Sequence, residues 1–115
     1  MKTLLRKWND WEILSIEGVF VLRQLQTARH AFDYFEQKSG AKVALDLSQT
    51  QGLDSSAITL MMNLQKRLKS EGGRLVILEP SPEIRSIFNV LEIENSIPVY
   101  YSKLDFEHAV EQGAL

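Results

Sequence analysis

The chain has 115 residues, of which 44% are hydrophobic, 24% charged and 9% aromatic, with a formal net charge of -2 and no cysteine. That length makes one domain, able to bury roughly 65% of its unfolded surface in a core that needs neither metal nor disulfide. Lack of cysteine excludes a disulfide framework, a thiolate zinc site, a cysteine nucleophile and a CxxC redox pair, and the slight acidity gives nucleic acid little to bind.

Thr3 to Trp8 and Trp11 to Glu17 are short segments rich in apolar and aromatic residues. Between them Asn9-Asp10 tolerates positive φ and closes two-residue turns, so they predict a β-hairpin whose second strand ends at Gly18. After the run Val19 to Leu22, residues Leu25, Ala28, Phe32 and Phe35 follow the helical period and predict a first helix that stops at Ser39-Gly40. Val43-Ala44-Leu45, bounded by Lys42 and Asp46, is too short for a helix and reads as a buried strand. The polar stretch Ser48 to Gly52 reads as a connection.

Asp54 or Ser55 then caps a second helix carrying Ala57, Leu60, Met61, Leu64 and Leu68. Gly72-Gly73 ends it, and Leu75 to Leu78 is the next buried strand. Strand, helix and strand at this spacing form a crossover, so the two strands are expected to lie parallel. Ser81-Pro82-Glu83 marks a third helix start with Ser81 as cap, and Ile84, Ile87, Phe88 and Leu91 form its buried stripe. Ile97 to Tyr101 predicts an edge strand, because Pro98 cannot donate to a ladder. Ser102 caps a last helix with Leu104, Phe106, Ala109 and Val110 inward, and the tail frays from Gln112.

The longest apolar runs, Val19 to Leu22 and Leu75 to Leu78, fall far short of the ~20 residues that span a bilayer, so a soluble, cytoplasmic protein without membrane insertion is expected. His30 and His108 have no second histidine at helical spacing, which removes HExxH zinc chemistry, and both read as solvated helix residues. One of Met61 and Met62 is expected in the core, Trp8 and Trp11 pack across the hairpin, and one of Tyr100 and Tyr101 is buried. Lys66, Arg67 and Lys69 read as a solvated helix face, with docking of an acidic partner as the minor reading.

Chemistry concentrates at Leu53-Asp54-Ser55-Ser56, where a strand end meets a helix start. A phosphate on Ser55 would meet unpaired N–H groups and the positive end of the helix dipole. Asp-Ser-Ser is also an ordinary cap, the stronger reading of these residues taken alone, and composition does not settle between the two. Asp54 likewise has two readings, orienting the hydroxyl in a kinase complex or capping the helix. A hydrolase with Ser55 as nucleophile lacks a positioned base and a Gly-x-Ser-x-Gly elbow, and nucleotide binding lacks a phosphate loop; no catalysis and no cofactor are expected.

From about Ile13 to Val110, the segments Val43 to Ser48, Leu53 to Ala57, Leu68 to Ile77 and Pro80 to Ile84 resemble a STAS domain, in particular the bacterial anti-sigma factor antagonists. The resemblance implies a STAS-like single α/β domain over residues 1–115, with its core at about 11–111 and an N-terminal hairpin at 3–17, and a mixed four- to five-stranded sheet packed with about four helices. It implies that Ser55 is phosphorylated by an anti-sigma factor serine kinase, an ATPase, and restored by a serine phosphatase, so that transcription is regulated by partner switching. The partner surface it implies comprises Asp54, Ser55, Ser56 and Ala57 with Val19, Phe20 and Val21.

Two positions depart from the family pattern. Ala57 stands where the family has Gly, with a methyl that would obstruct a kinase, and Gly18-Val19-Phe20-Val21 replaces a first loop that commonly reads Gly-Glu-Leu-Asp. These departures motivate the alternative of a non-phosphorylated STAS subunit of an ABC-type lipid transporter or a stress-sensing complex.

Overall fold

The computed structural model describes residues 1–21, 23 and 25–115, and of Leu25 the backbone alone. Leu22 at the end of its apolar run, and the expected burial of Leu25, lie outside the described residues.

Asn9 adopts φ 54°, the left-handed conformation a two-residue hairpin turn requires, and the chain reverses between β1 (Lys2–Trp8) and β2 (Trp11–Phe20). The two pair antiparallel from Lys2↔Glu17 to Trp8↔Trp11. The second strand does not end at Gly18. That glycine, at φ 95°, is the first residue of β2 to pair with a different partner, and the register of the new ladder shifts between Gly18 and Val19. From Glu12 to Ser15 β2 pairs in parallel with β3 (Lys42–Asp46), and from Gly18 to Phe20 with β4 (Thr50–Leu53).

Strand β4 lies in what reads as a polar connection. Its sequence, Thr-Gln-Gly-Leu, has one large apolar residue, so no local pattern announces it. It forms because the far end of β2 offers unpaired backbone groups: the Gly18 amide donates to the Gln49 carbonyl at 3.0 Å, and the buried Thr50 hydroxyl donates to the Ile16 carbonyl at 2.6 Å. Among the described residues the sheet therefore has six strands, one more than the upper expectation, in the order β1-β2-β3-β5-β6 with β4 paired to β2 off that path. Strand β5 (Arg74–Leu78) runs parallel to β3, as the crossover spacing requires, and the two-residue β6 (Val99–Tyr100) forms the expected edge.

Alternation along the strands sends side chains to two buried faces. Leu14, Ile16, Val43, Leu45, Leu75 and Ile77 meet α1 (Leu25–Glu36), α2 (Ser55–Ser70) and α3 (Pro82–Leu91) on one face. Trp11, Ile13, Ala44, Val76 and Leu78 meet Phe106 of α4 (Lys103–Glu111) on the other. Trp8 and Trp11 are cross-strand partners, and both rings close on Phe106, at centroid distances of 5.6 and 5.1 Å. Tyr100 joins them at 5.9 Å, whereas Tyr101 turns outward beneath Arg85. Met61 is buried and Met62 half-buried.

Helical periodicity overstated burial in two helices. Ile84 and Phe88 bury, but Ile87 only in part, and Leu91 stays 50% exposed, because α3 packs at the end of the sheet against the short β4. In α4 only Phe106 is fully buried, and Leu104 is 59% exposed. The tail does not fray from Gln112. The Ala114 amide donates to the Ala109 carbonyl at 2.9 Å, and Leu115 packs beside the aromatic cluster.

The expected stops and caps have their physical causes in view. Gly73 donates to the Leu68 carbonyl at 2.7 Å while passing so close to Ala41 that a Cβ there would collide with its carbonyl oxygen. Lys38 bridges the Glu12 carboxylate and the Tyr34 hydroxyl, both at 2.6 Å, and the bond to Glu12 foremost holds its ammonium above the ordinary lysine range. Phe106→Ala is expected to cost about 3–5 kcal/mol in urea unfolding. Gly73→Ala is expected to cost about 1–3 kcal/mol by forcing β3 and β5 apart.

Candidate functional site

The ladder between β2 and β4 runs up to the start of α2. Val19 and Phe20 pair with Gly52 and Leu53, and the next residue is Asp54. Asp54 is extended, at φ -115° and ψ -177°, and its carboxylate accepts the Ala57 amide at 3.0 Å while its carbonyl accepts the Ile58 amide at 3.1 Å. Of the two cap candidates it is Asp54 that occupies the N-cap, leaving Ser55 as the first helical residue.

Helical geometry then sorts the motif. Ala57, Met61, Leu64 and Leu68 turn to the core, so Ser55 stands exposed at the helix start and Ser56 is half-buried. Ser55 uses its carbonyl to accept the Thr59 hydroxyl at 3.0 Å. Among the described residues, its own hydroxyl has no protein partner. Two first-turn amides, those of Ser55 and Ser56, have no intrahelical acceptor by geometry, which makes the surroundings of that hydroxyl favourable to negative charge.

The other expected surface residues divide. Val19 is 43% exposed and Val21 half-buried. Phe20 is buried, its ring edge-on to Phe32 at 6.3 Å, and Ala57 is buried as well. Val19 and Phe20 belong to a strand and not to a loop, because β4 pairs with them. The Ala57 methyl points into the core and puts no bulk on the surface; relative to Gly it adds helix propensity.

Three residues hold this corner together through contacts that no local sequence signal announces. Ser81 occupies the N-cap position of α3, but its hydroxyl makes no cap bond and donates instead to the Thr50 carbonyl at 2.6 Å, tying α3 to β4. Asp46, at the end of β3, accepts the Ser48 amide at 3.0 Å and the Ser15 hydroxyl at 3.4 Å, which shapes the turn into β4. Thr50 provides the buried bond back to β2. Each makes one bond to a residue 31 to 34 positions away, and only the fold reveals that bond.

His30 and His108 are exposed, on helices that cover opposite faces of the sheet. Among the described residues, no group of three or more potential metal ligands comes together, and no helix is long and apolar enough to cross a membrane.

The mixed sheet packed with helices agrees with what the comparisons find. The family model described as the STAS domain matches residues 6–105, and the chain belongs to that family. A Thermotoga maritima protein that carries the provisional name of anti-sigma factor antagonist is 25% identical over 87 residues, 76% of this chain and 73% of the relative. A crystal structure of an anti-sigma factor antagonist from Thermotoga maritima, likewise provisionally named, has a TM-score of 0.85 at 19% identity and covers 95% of this chain and 94% of that one. The Bacillus cell fate determinant SpoIIAA in its phosphorylated form has a TM-score of 0.69 at 16% identity, over 96% of this chain and 98% of that one. At these identities the structural likeness establishes the STAS fold.

Asp54→Ala is expected to lower stability by about 0.5–2 kcal/mol, whereas Asp54→Asn, which also caps well, is expected to stay close to wild type in the same urea titration. Equal losses in both variants would show that the carboxylate charge, and not the cap, supplies the stability.

Proposed function

We propose that this chain is an anti-sigma factor antagonist that binds an anti-sigma factor serine kinase through the surface around Ser55 and is released when that kinase phosphorylates Ser55. The observation that carries this reading is the exposed Ser55 hydroxyl, unpartnered among the described residues, directly after a helix cap supplied by Asp54. The names of the relatives and the existence of a phosphorylated form of SpoIIAA support it. A serine phosphatase then returns the domain to its binding state, and transcription responds through the sigma factor that is freed or recaptured.

The mechanism needs no refolding. A phosphoserine carries about -1.5 to -2 charges and adds strong acceptor oxygens, and at Ser55 these meet the free amides of the first turn. The new charge changes what a partner encounters at the centre of its contact, and a like charge brought there costs several kcal/mol. Asp54 stays committed to the Ala57 amide, so the helix start keeps its shape in both states.

The second reading, a constitutive STAS subunit of a lipid-transport ABC system or stress-sensing complex, rests on the exposed Val19 beside the site, an apolar contact suited to a lasting partner. Incubation with ATP and each anti-sigma-type serine kinase of the source organism separates the two. Intact-mass analysis is expected to show one added phosphate on the wild type and none on Ser55→Ala. The phosphorylated form is expected to bind the kinase at least about tenfold more weakly. No modification by any such kinase, together with full function of Ser55→Ala in the host, would overturn the phosphorylation switch in favour of the constitutive subunit.

A further inference from the structure

Helices α1 and α2 lie side by side over one face of the sheet, and an ion pair closes their seam at one end. Arg67 of α2 reaches Glu36 of α1 at 3.2 Å. Two helical turns nearer the N-terminus on each helix, the seam opens into a groove of about 270 Å³ lined by Arg29, Ser56, Thr59, Leu60 and Asn63. At the closed end a cation from one helix meets an acid from the other. At the open end the cation is present, and among the described residues no acid meets it.

Arg29 is exposed, and among the described residues no carboxylate lies within ion-pair distance of it. The Thr59 hydroxyl hydrogen is committed to the Ser55 carbonyl. That leaves the Arg29 guanidinium, the Ser56 hydroxyl and the Asn63 amide as donors around the half-buried Leu60. Among the described residues no acid lines the groove, and α2 contains no Asp or Glu in its sixteen residues, although the chain as a whole has a net charge of -2. A planar guanidinium beside neutral donors matches the two oxygens of a carboxylate.

We infer that this groove seats a Glu or Asp side chain of the protein partner, so that the partner's contact surface is acidic where it meets the α1–α2 seam. The inference rests on the function proposed above, and it supplies the chemistry by which the partner is recognised. The groove begins at Ser56, adjacent in sequence to Ser55, so the two belong to one continuous contact face. The position also gives the switch a local mechanism. A phosphate on Ser55 places negative charge beside the seat, where it repels the incoming carboxylate and competes with it for Arg29.

The test is calorimetric titration of the full chain with each purified anti-sigma-type ATPase of the source organism, at low and high salt. Arg29→Glu is expected to weaken binding by about tenfold or more, and Arg29→Lys, which keeps the charge but loses the planar fork, by less. Lys103→Glu makes the same change in net charge on α4, across the sheet, and is expected to bind like wild type. Arg29→Glu binding within about twofold of wild type, or Lys103→Glu losing as much as Arg29→Glu, would overturn the inference, since local recognition predicts neither. Intact-mass measurement on the same mixtures keeps the two readings apart. Phosphorylation of the wild type with undiminished binding by Arg29→Glu removes the acidic seat alone, whereas an absence of both binding and phosphorylation removes the proposed function and the seat with it.

Discussion

Strand β2 serves two parallel partners in succession, and the arrangement of the site depends on that succession. Up to Ser15 it pairs with β3, and from Gly18 onward it pairs with β4. Gly18 makes the change possible because its positive φ is accessible without a Cβ, and its amide finds the Gln49 carbonyl at the point where the ladder changes hands. Without β4, nothing would direct the chain from the end of β3 to the mouth of α2. With it, Leu53 is buried and Asp54 arrives extended, ready to cap.

The rest of the architecture keeps this corner rigid. The sheet is covered on both faces, by three helices on one and by α4 with its aromatic contacts on the other, so its strands have little freedom to shift. Ser81 fastens α3 to β4, and Thr50 fastens β4 to β2. A serine mounted on such a frame, if phosphorylated as proposed, would change its charge without changing its position. That division suits recognition, in which a fixed scaffold displays a few exposed groups and the partner senses their chemistry.

Charge is distributed unevenly over this frame, and its placement says more than its total. Lys38 is tied to Glu12, and Lys42 to Asp10, which stabilise the hairpin end of the molecule. The Lys42 bond foremost holds the Asp10 carboxyl below the usual carboxylate range. Around α2 the balance differs. Its exposed Lys66, Arg67 and Lys69 face no acid from their own helix, and Arg67 borrows Glu36 from its neighbour. The net charge of the chain conceals this basic seam.

Much of the fold was legible in the sequence wherever a signal is local. Asn9-Asp10 turns, Gly72-Gly73 stops, Asp54 and Ser102 cap, and the runs around Val43 and Leu75 form the buried parallel strands, because each of these depends on neighbours within a few residues. The site's core motif was legible for the same reason, and the STAS resemblance gave it a meaning that capping chemistry alone leaves open. The sequence by itself thus determined the α/β class, the main crossover and the place where a modifiable hydroxyl meets a helix start. Tertiary structure decided what depends on distant partners. It made a strand of Thr50 to Leu53, turned Phe20 and the Ala57 methyl inward, left Leu91 and Leu104 in solvent, and sent the Ser81 hydroxyl to Thr50 in place of its own helix. The physical reason is common to all of these. Periodicity shows which side of a segment is apolar, but only the assembled sheet determines whether anything is there to cover it.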